Sequence, residues 1–129
     1  MAWSIGLTAS LGVALGGALG ALCRFWVYNA LPARAAGFPW PTLVVNVLGS
    51  CLLGVLFVLV MEKAQLGPQW QRVWGTGFLG AFTTFSTFSL EALLLQRGQA
   101  GLALVFIVGM VLLCLLAAWL GLSLGRAVF

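Results

Sequence analysis

Four long apolar stretches, separated by short polar segments, dominate the pattern of hydrophobic and polar positions along the chain. They cover about residues 3–25, 41–61, 73–95 and 101–124. A membrane-spanning helix needs about 20 apolar residues, so each stretch can cross a bilayer once, and a fifth span would leave almost no connections. We therefore predict an all-α membrane protein in which residues 1–129 form a single domain of four transmembrane helices.

The composition excludes a soluble globular protein. Hydrophobic residues make up 63% of the chain and charged residues only 6%, with a mean hydropathy of +1.15, whereas a soluble domain carries about 25% charged residues. The net charge of +4 is also too sparse for a nucleic-acid-binding surface. We expect membrane lipid, and not nucleic acid, around this chain.

The sequence contains few of the side chains that commonly act in catalysis or bind metals. The sequence has no His and no Asp, and its only carboxylates are Glu62 and Glu91. A Ser-His-Asp triad, a paired-carboxylate site and a His-ligated metal site are therefore excluded within one chain. We expect no enzymatic activity.

Positive residues are divided evenly between the two ends of the predicted bundle. One side carries Lys63, Arg72 and Arg126, and the other carries Arg24, Arg34 and Arg97. Because the positive-inside rule acts through a difference between the sides, the equal count predicts dual topology, in which the chain inserts both ways and pairs antiparallel. The alternative is a single orientation fixed by something that a count misses. A bundle this small encloses little interior, so we expect a homo-oligomer.

The third apolar stretch carries an unusual concentration of aromatic and hydroxyl side chains. At helical spacing they form parallel stripes, which contain Phe82, Phe85 and Phe88; Thr83, Ser86 and Ser89; and Thr84 and Thr87. Membrane hydroxyls often bond to the carbonyl four residues earlier, and phenylalanines often only pack or face lipid. This density at the bilayer centre nevertheless favours the lining of an interior or a pathway.

The same stretch begins with Gly75-x-Gly77-x-x-Gly80, which matches a dinucleotide-binding fingerprint. We reject that interpretation because the fingerprint requires a strand and a helix of a soluble βαβ unit. The glycines, together with Thr83 and Thr84, instead predict that helix three is broken near its centre. Such a break frees backbone groups at membrane depth, where they form ion sites.

Asn46 is the buried polar residue of the second predicted helix. Its amide supplies two N–H donors and one acceptor, either for an interhelical hydrogen bond or for an anion. A lining without a carboxylate ring disfavours cations. Hydroxyls, an amide and phenyl edges, which are positive at the rim of the ring, suit a small, strongly hydrated anion.

These residues resemble the Fluc (CrcB) family of fluoride channels. The matching stretches are Gly17 to Phe25 (GALGALCRF), Pro41 to Ser50 (PTLVVNVLGS) and, most specifically, Gly77 to Glu91 (GFLGAFTTFSTFSLE). The resemblance covers the whole chain in length and helix count, but the motifs cover only the first three helices. It implies an antiparallel, dual-topology homodimer with two fluoride pores in a bacterial inner membrane.

The resemblance also assigns residues. It implies a pore lined by Phe85 and Phe88, with Asn46 beside them and with Ser86 and Thr87 on a polar track. A structural sodium ion at the two-fold axis would take the backbone carbonyls of Gly80 and Thr83 from each subunit, and Arg24 would lie near the pore mouth.

The function that follows is passive export of fluoride that enters the cell as HF and is trapped on ionising, which protects against fluoride toxicity. The alternative is a proton-coupled transporter of the small multidrug type, in which Glu91 would have to supply the embedded carboxylate. A third class is a non-transporting membrane subunit whose hydroxyls bind other helices.

Overall fold

The structure, a computed structural model, describes residues 6–31 and 37–129. Four helices in these ranges are long and apolar enough to cross a membrane: Leu7–Ala30, Trp40–Glu62, Pro68–Gln96 and Ala100–Val128. The predicted class, an all-helical protein with four membrane spans, is confirmed. We name the first span α1 (Leu7–Ala30), the second α2 (Trp40–Phe57, continued by the π-helical turn Val58–Glu62) and the fourth α5 (Ala100–Val128).

The third span consists of two helical segments in tandem. The first, α3, joins Pro68–Trp70, the π-helical Gln71–Leu79 and Gly80–Phe82. Thr83 (φ −82°, ψ 159°) and Thr84 (φ −153°, ψ 113°) are extended. Helix α4 then runs over Phe85–Gln96.

The observed helices extend beyond the predicted bounds, and polar side chains near their ends have partners on other helices. Helix α1 continues past residue 25, where the hydroxyls of Tyr28 and Thr42 lie 2.6 Å apart. Helix α5 continues past residue 124, and Arg126 forms a bidentate pair with Glu62 at 2.6 and 2.8 Å. The third span begins at Pro68, a residue that suits the first helical turn. The predicted start of helix one near residue 3, and Arg34, lie outside the described residues.

Glycines set the two main packing contacts, α1 against α3 and α2 against α5. A Cβ at Gly16 would overlap the Val73 carbonyl of α3. On the other side of the bundle, a Cβ at Gly121 would overlap the Cys51 carbonyl. Gly16 and Gly121 therefore allow close approach of backbones.

Burial is concentrated where α2, α4 and α5 meet. Phe106 and Val45 are fully buried, and Phe88, Ala92, Phe106 and Met110 form one cluster. Leucines along α1 and α5 are mostly exposed, for example Leu7 and Leu104. This is the reverse of the distribution in a soluble protein, and it leaves large apolar faces for a nonpolar environment.

Candidate functional site

A cavity of about 440 Å³ lies beside the extended residues of the third span. Helices α2, α3, α4 and α5 all contribute to its wall, which contains Asn46, Gly49, Ser50, Leu53, Gly75, Leu79, Gly80, Thr83, Thr84, Phe85, Phe88, Met110, Val111, Cys114 and Leu115. None of these side chains is charged. The cavity gathers five of the predicted site residues, namely Asn46, Gly80, Thr83, Phe85 and Phe88.

Asn46 holds the extended segment through two hydrogen bonds and makes a third within its own helix. The backbone N–H of Thr84 donates to Asn46 Oδ1 (2.9 Å), and Asn46 Nδ2 donates to the carbonyls of Thr84 (3.0 Å) and Thr42 (2.9 Å). A buried backbone group without a partner is costly, and this one amide satisfies both backbone groups of Thr84. Both Nδ2 hydrogens are thereby engaged, so the interhelical hydrogen bond is the observed role of the side chain.

Thr84 also caps helix α4. Its Oγ1 accepts from the Thr87 N–H (3.3 Å) and donates to Thr87 Oγ1 (3.0 Å), while Ser86 Oγ lies 3.4 Å away. A threonine at this position satisfies one of the unpaired N–H groups of a helix start. The N–H groups of Phe85 and Ser86 belong to the same first turn and have no acceptor within the helix. This end of α4 therefore presents partial positive charge beside the cavity.

Two phenyl rings of α4 lie on the cavity wall. The centroids of Phe85 and Phe88 are 5.5 Å apart and the ring planes are inclined by 63°. Phe85 is 78% exposed in the single chain, whereas Phe88 is 7% exposed. Ser86 and Thr87 are grouped around Thr84, next to the cavity and not on its wall.

The carboxyl end of α3 carries backbone carbonyls that suit a cation. The Thr84 N–H, which in a continuous helix would donate to the Gly80 carbonyl, donates instead to Asn46. Gly80 is exposed at the surface of the chain. The Thr83 carbonyl accepts a hydrogen bond from Arg24 Nη1 (3.3 Å). Freed carbonyls at the negative end of a helix segment can ligate sodium in membrane proteins. The Gly80 carbonyl is such a group, whereas the Thr83 carbonyl is already bonded to Arg24.

Helix α5 contributes wall residues that sequence reasoning missed. Met110 and Cys114 line the cavity, with Cys114 Sγ 3.7 Å from Met110 Sδ. Phe106 lies one turn before Met110 and packs against Phe88 with centroids 5.1 Å apart. No periodic pattern in the fourth stretch distinguishes these positions, because apolar residues occur on every side of that helix.

Glu91, the carboxylate on which the alternative function depends, lies away from this cavity. It borders a separate cavity of about 280 Å³ together with Gln99 and Gly98. Its Oε2 is buried and has no hydrogen-bond partner among the described residues.

Four helices long and apolar enough to span a membrane define a small multi-pass membrane protein. Over residues 11–122 the chain matches the family described as "CrcB-like protein, Camphor Resistance (CrcB)". The chain belongs to this family.

Relatives with similar sequences are named "Fluoride-specific ion channel FluC". The protein of Saccharophagus degradans is 54% identical over 108 residues, covering 83% of this chain and 81% of the relative. That of Magnetococcus marinus is 50% identical, covering 90% and 96%, and that of Thermus thermophilus is 48% identical, covering 95% and 98%. The predicted family is confirmed, and it is a family of fluoride channels and not of enzymes.

Proposed function

We propose that this chain forms a fluoride-selective channel that passively exports cytoplasmic fluoride. The observation that carries the proposal is the amino-terminal end of α4, which lies beside an uncharged cavity that Phe85 and Phe88 help to line. A helix N-terminus favours an anion through its free N–H groups and its dipole. A wall without carboxylates imposes no barrier of negative charge.

The two phenyl rings supply the second attraction for an anion. A phenyl edge carries partial positive charge and its face partial negative charge. Both rings line the cavity, so a ring edge turned toward it would attract an anion there. Fluoride, the smallest halide, approaches such an edge and the nearby hydroxyls of Ser86 and Thr87 most closely and gains most from replacing its water.

Asn46 has a positioning role in this proposal. Its amide is bonded to Thr84 and so fixes where α4 begins. Asn46 therefore also influences the direction of the α4 dipole and of the first N–H groups of α4. Asn46 thus lies beside the phenylalanines and acts on the pathway through the backbone of α4.

The functional unit we propose is an antiparallel, dual-topology homodimer with two pores. The equal distribution of Lys and Arg between the two sides supports insertion in both orientations. The exposure of Phe85 in one chain, 78%, supports a second chain that covers it. Because the relatives are bacterial proteins, the proposed location is the bacterial inner membrane.

A structural sodium ion at the dimer axis completes the proposal. The carbonyls of Gly80 and Thr83 from each subunit would hold it, and the ion would supply positive charge to the facing carboxyl ends of two α3 segments. The Thr84 N–H donates to Asn46 and so leaves the Gly80 carbonyl without its usual helical donor, which supports this assignment. Arg24, bonded to the Thr83 carbonyl, would add a fixed positive charge near the pathway and attract anions toward it.

Proton-coupled transport of the small multidrug type is the less favoured function. It needs a carboxylate on the transport pathway, and Glu91 borders a different cavity from the one that contains Phe85.

Ion efflux from liposomes that contain only the purified protein tests the proposal. Fast fluoride efflux with little chloride efflux is expected, at the same rate with or without a proton gradient. Absence of fluoride efflux from a folded, membrane-inserted protein would overturn the channel proposal. Efflux that requires a proton gradient and is lost in Glu91→Gln would instead favour the coupled transporter.

A further inference from the structure

Phe88 lies between two other rings, and only one of them belongs to its own helix. Phe85 packs on one side with centroids 5.5 Å apart, and Phe106 of α5 packs with centroids 5.1 Å apart; both pairs are inclined by 63°. Inclined pairs of this kind attract each other because the edge of one ring meets the face of the other. The orientation of Phe88 is therefore determined from two directions.

The ring of Phe106 is more completely buried than either ring of α4, since Phe88 is 7% exposed. Phe106 is fully buried, whereas Phe85 is largely exposed. Behind it stands Phe38, almost perpendicular at 84° with centroids 5.5 Å apart. Phe38 in turn packs against Trp40 at the start of α2 (4.6 Å, 52°). A series of rings thus runs from the beginning of α2 through α5 to the cavity wall.

From this geometry we infer that Phe106 is a positioning residue, which orients the Phe88 ring for the anion pathway. The inference rests on the proposed fluoride channel. An aromatic ring attracts an anion only with its edge, so a rotation of Phe88 would exchange an attractive surface for a repulsive one. Phe106 does not itself line the cavity, but it packs directly against Phe88, which does. Its effect on the ion would therefore pass through Phe88.

Phe106→Leu tests this because it keeps apolar volume and removes the ring. We expect fluoride efflux from liposomes to fall about threefold to tenfold, in line with the loss of an edge-to-face contact, and the ratio of fluoride to chloride efflux to fall with it. Phe57→Leu is the matched control, since Phe57 is an α2 ring that is 44% exposed and contributes nothing to the cavity wall.

A double-mutant cycle with Phe88→Ile separates positioning from general packing. If Phe106 acts through Phe88, the double variant conducts as Phe88→Ile alone does, because no ring remains to be oriented. Phe57→Leu combined with Phe88→Ile gives independent effects. Multiplicative losses in the Phe106 and Phe88 double variant, or unchanged efflux and selectivity in Phe106→Leu, would overturn the inference.

Two further measurements keep the outcome interpretable. Size-exclusion chromatography and a thermal melt in detergent establish that each variant is folded. Should Phe106→Leu not fold, Phe38→Leu removes the supporting ring instead and is expected to reduce selectivity in the same direction; normal selectivity there would overturn the inference. Absence of efflux from the unsubstituted protein would count against the channel itself, which distinguishes the two failures.

Discussion

Asn46 and Thr84 are joined by a pair of hydrogen bonds that runs in both directions. The Thr84 N–H donates to Asn46 Oδ1 at 2.9 Å, and Asn46 Nδ2 donates to the Thr84 carbonyl at 3.0 Å. The side chain of α2 thus pairs with the extended backbone of the third span as a neighbouring strand would. The Asn46 amide is a neutral group that offers a donor and an acceptor at once.

Asn46→Asp is expected to abolish fluoride efflux. A carboxylate still accepts from the Thr84 N–H, but it has no donor for the Thr84 or Thr42 carbonyls and introduces negative charge beside an anion pathway. A buried acceptor left without its donor costs about 1–3 kcal/mol. Liposome efflux measures the result, and Asn29→Asp is the control because Asn29 is exposed and donates only to the Phe25 carbonyl at 2.7 Å. Unchanged efflux in Asn46→Asp would indicate that Asn46 contributes only to packing.

Phe85→Ile and Phe88→Ile are each expected to lower fluoride efflux by about tenfold or more. A tenfold decrease corresponds to a barrier that is higher by about 1.4 kcal/mol. Isoleucine retains apolar bulk but has no positive ring edge. The oligomeric state should be unchanged in size-exclusion chromatography. Phe57→Ile, on the exposed side of α2, should conduct normally. Normal efflux in both pathway variants would eliminate the role proposed for these rings.

Gly121→Ala is expected to destabilise the protein by about 1–3 kcal/mol. The new methyl group would overlap the Cys51 carbonyl, a backbone atom of α2 that cannot move aside cheaply. Gly109→Ala is the matched change in the same helix, because its Cβ would meet nothing within 4 Å; it should be neutral or stabilise by roughly 0.5–1 kcal/mol.

Unfolding transitions in mixed micelles, followed by circular dichroism, measure both glycine variants. Equal stability of Gly121→Ala and Gly109→Ala would contradict the close contact of α2 with α5.

Removal of sodium is expected to lower the thermal midpoint of the proposed dimer. A ligand that binds only the folded state stabilises it by mass action, by roughly 2.7 kcal/mol at a hundred times its Kd. The measurement replaces sodium with N-methylglucamine at constant ionic strength and constant fluoride, then restores it. Identical midpoints in the two salts would argue against a sodium site at Gly80 and Thr83.

The four spans were predictable from sequence because a membrane helix satisfies its backbone within itself, which makes each span a local property of about 20 apolar residues. The ends were less predictable. Helix α5 extends to Val128, and Arg126 in its last turn pairs with Glu62, a residue far away in the chain. The exposed ion pair adds little stability by itself.

The residues of the candidate site divide in the same way. The aromatic and hydroxyl pattern of the third stretch singled out Phe85, Phe88 and Thr83, while the resemblance to the Fluc family supplied their individual roles and that of Gly80. Phe106 and Met110 were not found, since the fourth stretch is apolar on every side and periodicity selects no face of it. Only the packing of α5 against α2 and α4 selects which of its residues reach the cavity.

The sequence by itself determined the membrane class, the number of spans and the polar segment at the centre of the third, because these depend on hydropathy and local backbone chemistry. The tertiary structure alone decided that the Asn46 amide bonds to Thr84, that Arg24 bonds to the Thr83 carbonyl and that Phe106 packs against Phe88. Each of these is a contact between different helices, so it depends on how the helices pack and not on the local sequence alone.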